Sequence, residues 1–343
     1  MNRKRQPGPT AASPKSPARR DALEVLQAGN LSSSSAKPAG WLVHGFSTRQ
    51  GGVSPEYGGR ALNLAHTRED PEENIEQNRR LFLRALLTGV PSRRVVAPAG
   101  VDSPVKQSRS LPGTSASRKT NPSLAADRLW PLVTVKQIHS AIIHYVKQPP
   151  AQPQQGDGLI TQTPGILLAI QTADCLPVLL ADPDQRAVGI FHAGWRGTLA
   201  RIVEKGVGEM SKHFGSEPER LQAAIGPGIG VCCYEVGEEV ERDFESQFSY
   251  AGELFESVFD SRSLESRYPM LFMNQRPPGH GGPATKRHLN LGKANLLQLR
   301  DAGVPEKNIF SLGLCTSCRT DLFFSYRKEH VTGRMLAVIG IRP

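Results

Sequence analysis

The sequence predicts an α/β protein of the α+β type, with a mixed, largely antiparallel β core flanked by helices. Three observations carry this expectation. The runs Ile166 to Ile170, Leu176 to Ala181 and Ala187 to Phe191 are almost wholly apolar, as strands covered on both faces are. Asp182-Pro183-Asp184-Gln185 joins the second run to the third with turn residues, which makes them neighbours in an antiparallel pair. Longer segments with helix-start signals and helical apolar spacing flank the runs.

Taken in order, Trp41 to Ser47 is a first strand, and Arg49-Gln50-Gly51-Gly52 a Gly-rich turn. Asp70 and Pro71 open a helix as N-cap carboxylate and first helical proline, with Glu72 and Glu73 in the first turn. Ile75, Leu81, Leu83 and Leu86 carry its apolar spacing. Val133 to Val135 leads into His139, and Ile142 to Val146 follows. Gly156-Asp157-Gly158 turns into Leu159 to Thr161. Thr198 to Phe214 is a helix with Thr198 as N-cap, Leu221 to Ile225 a strand, and Glu235 to Phe248 a helix. Leu291 to Ala302 is a helix ending near Gly303. Ile309 to Leu314, Phe323 to Tyr326 and Met335 to Ile341 complete the sheet.

The chain has 343 residues and a formal net charge of +10. The charge is local: residues 1–37 and 93–128 each carry seven Lys or Arg against two acids, and the remainder balances. Both stretches are rich in Ser, Pro, Ala and Gly and lack apolar periodicity, so they are expected to be disordered. The expected organisation is a basic tail over 1–38 and a single catalytic domain over 39–343. The latter carries a low-complexity insertion at 93–128 and a polar loop at 274–288. No aromatic-interleaved basic groove points to specific nucleic-acid binding. No run approaches the roughly 20 apolar residues of a membrane helix, and no apolar stretch follows the basic start as a secretory signal requires. Five cysteines, two of them adjacent, do not form a disulfide framework, so a reduced, cytoplasmic protein is expected.

Three segments carry soft or borderline metal ligands beside apolar runs: Gln137-Ile138-His139, Ala173-Asp174-Cys175 and Phe191 to Gly197, which includes His192. Two imidazoles and one thiolate make three protein ligands, the number that leaves a catalytic zinc site open to water or substrate. Sulfur with imidazole suits Zn2+, with Cu2+ as the second candidate. The alternatives are a metal-free Cys–His nucleophile pair and a core cysteine beside structural histidines. If Pro183 and Asp184 form the tip of a tight hairpin, Cys175 and His192 face each other across the ladder, about 4.5–5.5 Å apart at Cβ.

After His192 comes a Gly-x-x-Gly turn and a helix start whose free N–H groups favour an anion. Arg196 is placed to bind phosphate in bidentate fashion, with Arg49 on the other Gly-rich turn a second candidate; a surface ion pair is the alternative for each. Asp174, beside Cys175, is a candidate for proton transfer or ligand orientation, or simply a turn carboxylate. Cys315-Thr316-Ser317-Cys318 is a Cys-x-x-Cys with no second pair at zinc-ribbon spacing, because Cys232 and Cys233 are adjacent. His44 and His66 are isolated and expected to be structural or solvated.

Together these motifs resemble a known family. They are His44 to Arg49 with Gly51 to Ser54, Leu62-Asn63-Leu64, Gln137 to His139, Asp157 to Thr161 and Thr172 to Pro177. His192 to Gly197, Ile225-Gly226-Pro227, Cys232 to Val236, and the tail from Cys315 through Phe324-Ser325-Tyr326-Arg327 to Arg334 continue the set. The family is that of bacterial proteins labelled multicopper polyphenol oxidase or laccase-like, and also purine nucleoside phosphorylase or peptidoglycan editing factor. The resemblance implies an α/β single domain with zinc at His139, Cys175 and His192. It implies phosphorolysis of adenosine, inosine and S-methyl-5'-thioadenosine, with adenosine deamination; the partners are then purine nucleosides and phosphate. A copper oxidase is disfavoured, since nine histidines include no His-x-His. An amidase-type hydrolase of cell-wall precursors and an RNA-binding scaffold acting through the basic tails are the remaining alternatives.

Overall fold

The computed structural model describes residues 22–32, 40–89, 92–95, 129–259 and 285–343. The remainder of the expected basic tail, of the 93–128 insertion and of the 274–288 loop lies outside the described residues.

Two six-stranded sheets form the core. The first runs in the order β4 (Ser92–Val95), β1 (Val25–Ala28), β2 (Leu42–Ser47), β16 (Met335–Ile341), β8 (Leu167–Thr172), β5 (Leu132–Val133). The second runs β15 (Ile309–Ser311), β11 (Gln222–Ile225), β9 (Leu176–Asp182), β10 (Ala187–Ala193), β7 (Gly158–Thr161), β6 (Ile143–Tyr145). In each, three antiparallel pairings lie between one parallel pairing at either edge. A short sheet of β12 (Glu235–Val236), β14 (Thr285–Leu289) and β13 (Phe255–Phe259) lies beside them. The mixed, largely antiparallel class is the one the apolar runs predict.

Side-chain alternation explains why those runs are apolar throughout. Leu168 and Ile170 of β8 and Ala337 and Ile339 of β16 meet Leu179 and Ala181 of β9 and Val188 and Ile190 of β10 in one core between the sheets. The alternate residues Leu167, Ala169, Leu336 and Val338 face away, under Phe82, Leu83 and Leu86 of helix α2 (Glu72–Thr88). On the far side of the second sheet, Val178, Leu180 and Phe191 pack with Val203, Val207 and Met210 of helix α4 (Ile202–Phe214) and with Leu291 and Ala294 of helix α6 (Leu291–Asp301). Each central strand therefore buries both faces. Among the described residues no helix is long and apolar enough to cross a membrane.

Several expectations are corrected. β1 and the helical turn α1 (Gly29–Ser32) lie within the stretch expected to be a disordered tail. Leu26 and Leu31 are buried in the inter-sheet core, too short a signal for periodicity to reveal. The first residues of the expected insertion, 93–95, belong to β4, which pairs with β1, and the last of the expected polar loop, 285–288, belong to β14, paired on both sides by β12 and β13. The Gly-rich turn is a strand, β3 (Gln50–Ser54), bridged to Ala61. Asp70 does not cap α2. Its carboxylate accepts from Ser54 Oγ at 2.6 Å and Asn63 Nδ2 at 2.7 Å, and Pro71 is the N-cap. The helix expected from Thr198 starts at Trp195 as α3 (Trp195–Leu199) and breaks at Arg201, which has φ 61°. Thr198 is buried inside α3, its hydroxyl accepting from Asn295 and its carbonyl from Gln298. Glu235 and Val236 form β12 before helix α5 (Glu238–Gln247). Phe323 to Tyr326 is not a strand: Ser325 accepts from Lys328 N and caps helix α7 (Tyr326–Glu329).

Candidate metal centre

Two chain crossings between the sheets and one strand end build the site. The chain leaves β5 in the first sheet and reaches β6 in the second through the segment that carries His139. It leaves β8 in the first sheet and reaches β9 in the second through Ala173-Asp174-Cys175. β10 delivers His192 near its end.

The simple hairpin register does not hold. Asp182 pairs with Ala187, and His192 faces Pro177 rather than Cys175. Asp182 Oδ1 accepts from Asp184 N at 2.9 Å and Gln185 N at 3.1 Å, and Arg186 adopts φ 49°. These contacts build a four-residue loop where a two-residue one was expected, a loop length commonly assembled around a type I turn. Cys175 consequently sits just beyond the paired strands, beside Gly194.

The three side chains still converge. His139 Nε2 lies 3.8 Å from Cys175 Sγ, the two imidazole centroids are 4.9 Å apart, and one ligand atom from each residue lies within 4.8 Å of the others. A tetrahedral ion about 2.3 Å from sulfur and about 2.0–2.1 Å from nitrogen sets an N–S edge of about 3.6 Å. The residues present fit such an ion.

Asp157, which the sequence suggested only as a turn residue, organises the ligands. It is fully buried. Its Oδ1 accepts from His139 N at 3.0 Å and from His192 Nδ1 at 2.9 Å. Its Oδ2 accepts from Ile138 N at 3.2 Å, Ser140 N at 2.6 Å and Ser140 Oγ at 2.7 Å. One carboxylate thus holds His139 in its φ 60° backbone and turns His192 so that Nε2 faces Cys175. Burial raises the Asp157 carboxyl, but the hydrogen bonds from His192 and Ser140 outweigh it and bring it down to about 2. Burial pushes His192 down, yet the Cys175 thiolate and Asp157 carry it up to about 9. Burial pushes the Cys175 thiol up, and the His192 charge with the His139 hydrogen bond brings it down to about 6.

The ligands line a cavity of about 910 Å3. Arg79, Lys136, Arg196, Arg327 and Arg334 also line it, and Asp174 is its one carboxylate among the described residues. Trp195, Tyr234 and Tyr326 add aromatic surface, and His66, expected to be structural or solvated, lines the wall.

Asp174 has φ 101° and is nearly buried. Its Oδ1 accepts from Thr316 Oγ1 and Ser325 Oγ, each at 2.7 Å, and its Oδ2 from Arg327 N at 2.7 Å. Both oxygens are thus held by the chain's C-terminal part. Arg196 lies over the Trp195 ring at 4.3 Å and makes no ion pair among the described residues. Arg49 does not line the cavity. It donates to Glu329 Oε1 at 2.7 Å, Thr320 O at 2.8 Å and Tyr57 O at 2.9 Å, and stacks on Phe324. The structure does not bring this phosphate candidate to the cavity, and partly buried acceptors already occupy its guanidinium. The expected anion site at Thr198 is corrected, because that residue lies inside a five-residue helix.

Gly194 shows how tightly the centre is packed. A β-carbon there falls 2.9 Å from Cys175 Sγ and 3.0 Å from His139 Cδ2. Gly194→Ala is therefore expected to push two ligands apart and weaken metal binding by at least about 10-fold, the lower end of what disturbing a ligand's support costs. Metal titration alongside a thermal melt checks this; unchanged affinity refutes it.

The chain matches the model of the multi-copper polyphenol oxidoreductase laccase family over residues 43–104 and 115–342. It belongs to this family. The chain is 34% identical over 322 residues to a Deinococcus radiodurans protein named purine nucleoside phosphorylase, the match covering 93% of each chain. It is 36% identical over 173 residues to adenosine deaminase RL5 of an unknown prokaryotic organism, covering 50% of this chain and 56% of that one. Among solved structures, Bacillus licheniformis hypothetical protein YfiH superposes with a TM-score of 0.65 at 28% identity, covering 88% of this chain and 93% of that one. The relatives' names make this an enzyme family.

Proposed function

We propose that this protein is a metal-dependent purine nucleoside phosphorylase acting on adenosine, inosine and S-methyl-5'-thioadenosine, with adenosine deaminase activity at the same centre. The observation that carries the reading is the composition of one cavity. His139, Cys175 and His192 converge there among five cationic side chains and one already engaged carboxylate. That surplus of positive charge suits phosphate, and the aromatic wall suits a purine. The phosphorylase and deaminase names of the relatives support both halves.

An ion held by His139, Cys175 and His192, Zn2+ or Cu2+, supplies Lewis acidity when bound. The other tasks fall to the chain. Asp157 holds His192 with its Nδ1–H engaged, leaving Nε2 to serve as ligand. Asp174 fixes the turn that presents Cys175. Arg196, with no carboxylate partner among the described residues, binds phosphate and sets it against the ribose. Burial and the Cys175 charge keep the Tyr234 phenol protonated, so its hydroxyl donates to the nucleoside. Its ring and that of Trp195 offer the base aromatic surface on the cavity wall.

Metal-replete protein incubated with adenosine and phosphate is expected to release adenine and ribose 1-phosphate, with inosine and ammonia formed by deamination. Neither product set from folded, metal-loaded protein overturns the reading. Arg196→Met is expected to raise KM for phosphate about 10-fold with little change in kcat, as loss of uniform binding does. Arg49→Met is expected to lower thermal stability and leave KM for phosphate unchanged. The reverse pattern in steady-state kinetics assigns phosphate to Arg49.

A further inference from the structure

Four cysteines, one Cys-x-x-Cys and one adjacent pair, meet at one point. Cys232 and Cys233 lie in the loop after β11, and Cys315 and Cys318 in the loop after β15. Their sulfurs all fall within 4.8 Å of one another, with Cys232 and Cys233 each 3.4 Å from Cys318. We propose that these four thiols form a second, closed metal site that holds Zn2+ in a tetrahedral tetrathiolate cage and clamps the two loops together. The proposal stands apart from the nucleoside reading, since none of the four residues is a ligand of the first centre.

The geometry favours an ion over a disulfide. A bonded pair needs sulfurs about 2.05 Å apart, and all five cysteines are free. Cys318 is equidistant from two partners, so no single pairing is singled out. A tetrahedral site with metal–sulfur bonds of about 2.3 Å has sulfur–sulfur edges of about 3.8 Å, between the 3.4 Å of the two Cys318 contacts and the 4.8 Å within which all four sulfurs lie. Thiols are weak hydrogen bonders and do not gather in fours for their own sake. A soft, divalent, d10 cation gives all four a strong common partner, and four protein ligands are what a structural zinc site uses.

The surrounding backbone is arranged for it. The Gly230 N–H donates to Cys315 Sγ at 3.2 Å, a contact that stabilises a thiolate ligand. A β-carbon on Gly230 would fall 3.2 Å from Cys315 Cβ and 3.3 Å from Cys232 Sγ, so glycine lets the two loops approach. Gly228 and Cys315 form a parallel bridge, and Thr316 N donates to Gly228 O at 3.0 Å. The Arg319 N to Cys315 O bond, 3.1 Å, closes the turn that brings Cys318 back beside Cys315. Cys232 and Cys318 are exposed, which provides the entry path.

The clamp has a consequence for the first centre. The same two loops hold Asp174: Ile229 N donates to its carbonyl at 2.7 Å and Thr316 Oγ1 to its carboxylate at 2.7 Å. An ion joining them stiffens the support of the residue before Cys175.

The test is metal analysis of the full chain after Zn2+ loading, combined with cobalt substitution. Wild type is expected to hold about two equivalents, and Cys175→Ser and Cys318→Ser about one each, as one closed and one open site require. Cobalt-loaded Cys175→Ser is expected to keep the intense thiolate-to-cobalt charge transfer of a sulfur-only tetrahedral site. Should Cys318→Ser fail to fold, chelation of wild type supplies the second measurement: removing the tighter equivalent must expose about four additional reactive thiols. A folded Cys175→Ser protein that binds no zinc overturns the proposal, as does a disulfide among the four in protein purified under reducing conditions. Metal lost only from Cys175→Ser concerns the first centre; metal lost only from Cys318→Ser concerns the new one.

Discussion

Cys175→Ser is expected to lower activity by more than about 100-fold and to empty the first centre. A hydroxyl is a far weaker soft ligand than a thiolate, and even the groups that merely support a ligand are worth roughly 10–100-fold. The variant also separates the two chemical readings of the Cys175–His192 pair. If the sulfur is a ligand, wild type loses activity to a chelator and regains it on metal addition, and Cys175→Asp retains part of the binding. If the sulfur is a free nucleophile, a chelator has no effect and Cys175→Asp is as inactive as Cys175→Ser. Alkylation gives an independent check. In metal-free protein Cys175 loses its proton at about 6, where an ordinary thiol does so near 9.0. Modification at Cys175 is therefore expected to rise with pH through about 6, and bound metal to protect it. A pH midpoint near 9 in the metal-free protein contradicts the charge arrangement described above.

Asp157→Asn is the second large effect. The carboxylate accepts from five donors at once. An amide offers one oxygen and turns its NH2 toward groups that also donate. Removing one partner of a buried, hydrogen-bonded charge pair costs about 3–5 kcal/mol. Metal affinity is expected to fall about 10–100-fold because His192 loses the group that orients it. The pH dependence follows from the signs of the two shifts. Asp157 is depressed from 3.8 to about 2, so its contribution is present above 3.8 and lost as pH falls toward 2. His192 is raised from 6.5 to about 9, so its contribution is full below 6.5 and lost as pH rises toward 9. Cys175 runs the other way: lowered from 9.0 to about 6, its contribution grows as pH rises from about 6 to 9.0 and offsets the loss at His192. Melts of metal-free protein across pH are therefore expected to show wild-type stability rising between about 2 and 3.8 as Asp157 ionises, and Asp157→Asn to lack that rise. Superimposable profiles refute the assignment.

Much of the fold was legible because burial leaves a local trace. Leu167 to Ile170, Val178 to Ala181 and Val188 to Ile190 are apolar at successive positions because one set of side chains faces the other sheet and the alternate set faces helices. β1 was not legible, since four residues inside a polar stretch give too short a pattern. The Thr198 cap was misplaced because its hydroxyl is claimed by Asn295, ninety-seven positions away, and nothing near it in the chain announces that.

For the centre, residue type alone singled out His139, Cys175 and His192 as soft donors beside rigid elements, and Arg196, with Arg49 second, as candidates for phosphate. Their convergence was decided elsewhere. His139 and Cys175 sit on crossings between two sheets, and one longer loop after Asp182 moved the ladder by a whole pair of residues. Tertiary structure alone distinguished an Arg49 paired with Glu329 from an Arg196 lining the cavity. It alone revealed Asp157 as the common acceptor and gathered four cysteines across a separation of eighty-six residues. A sequence records how each residue prefers to be solvated and which donors it carries. Which donors share a point depends on strand registers and loop lengths summed along the chain, and a difference of one or two residues in any of them moves a side chain by several ångströms.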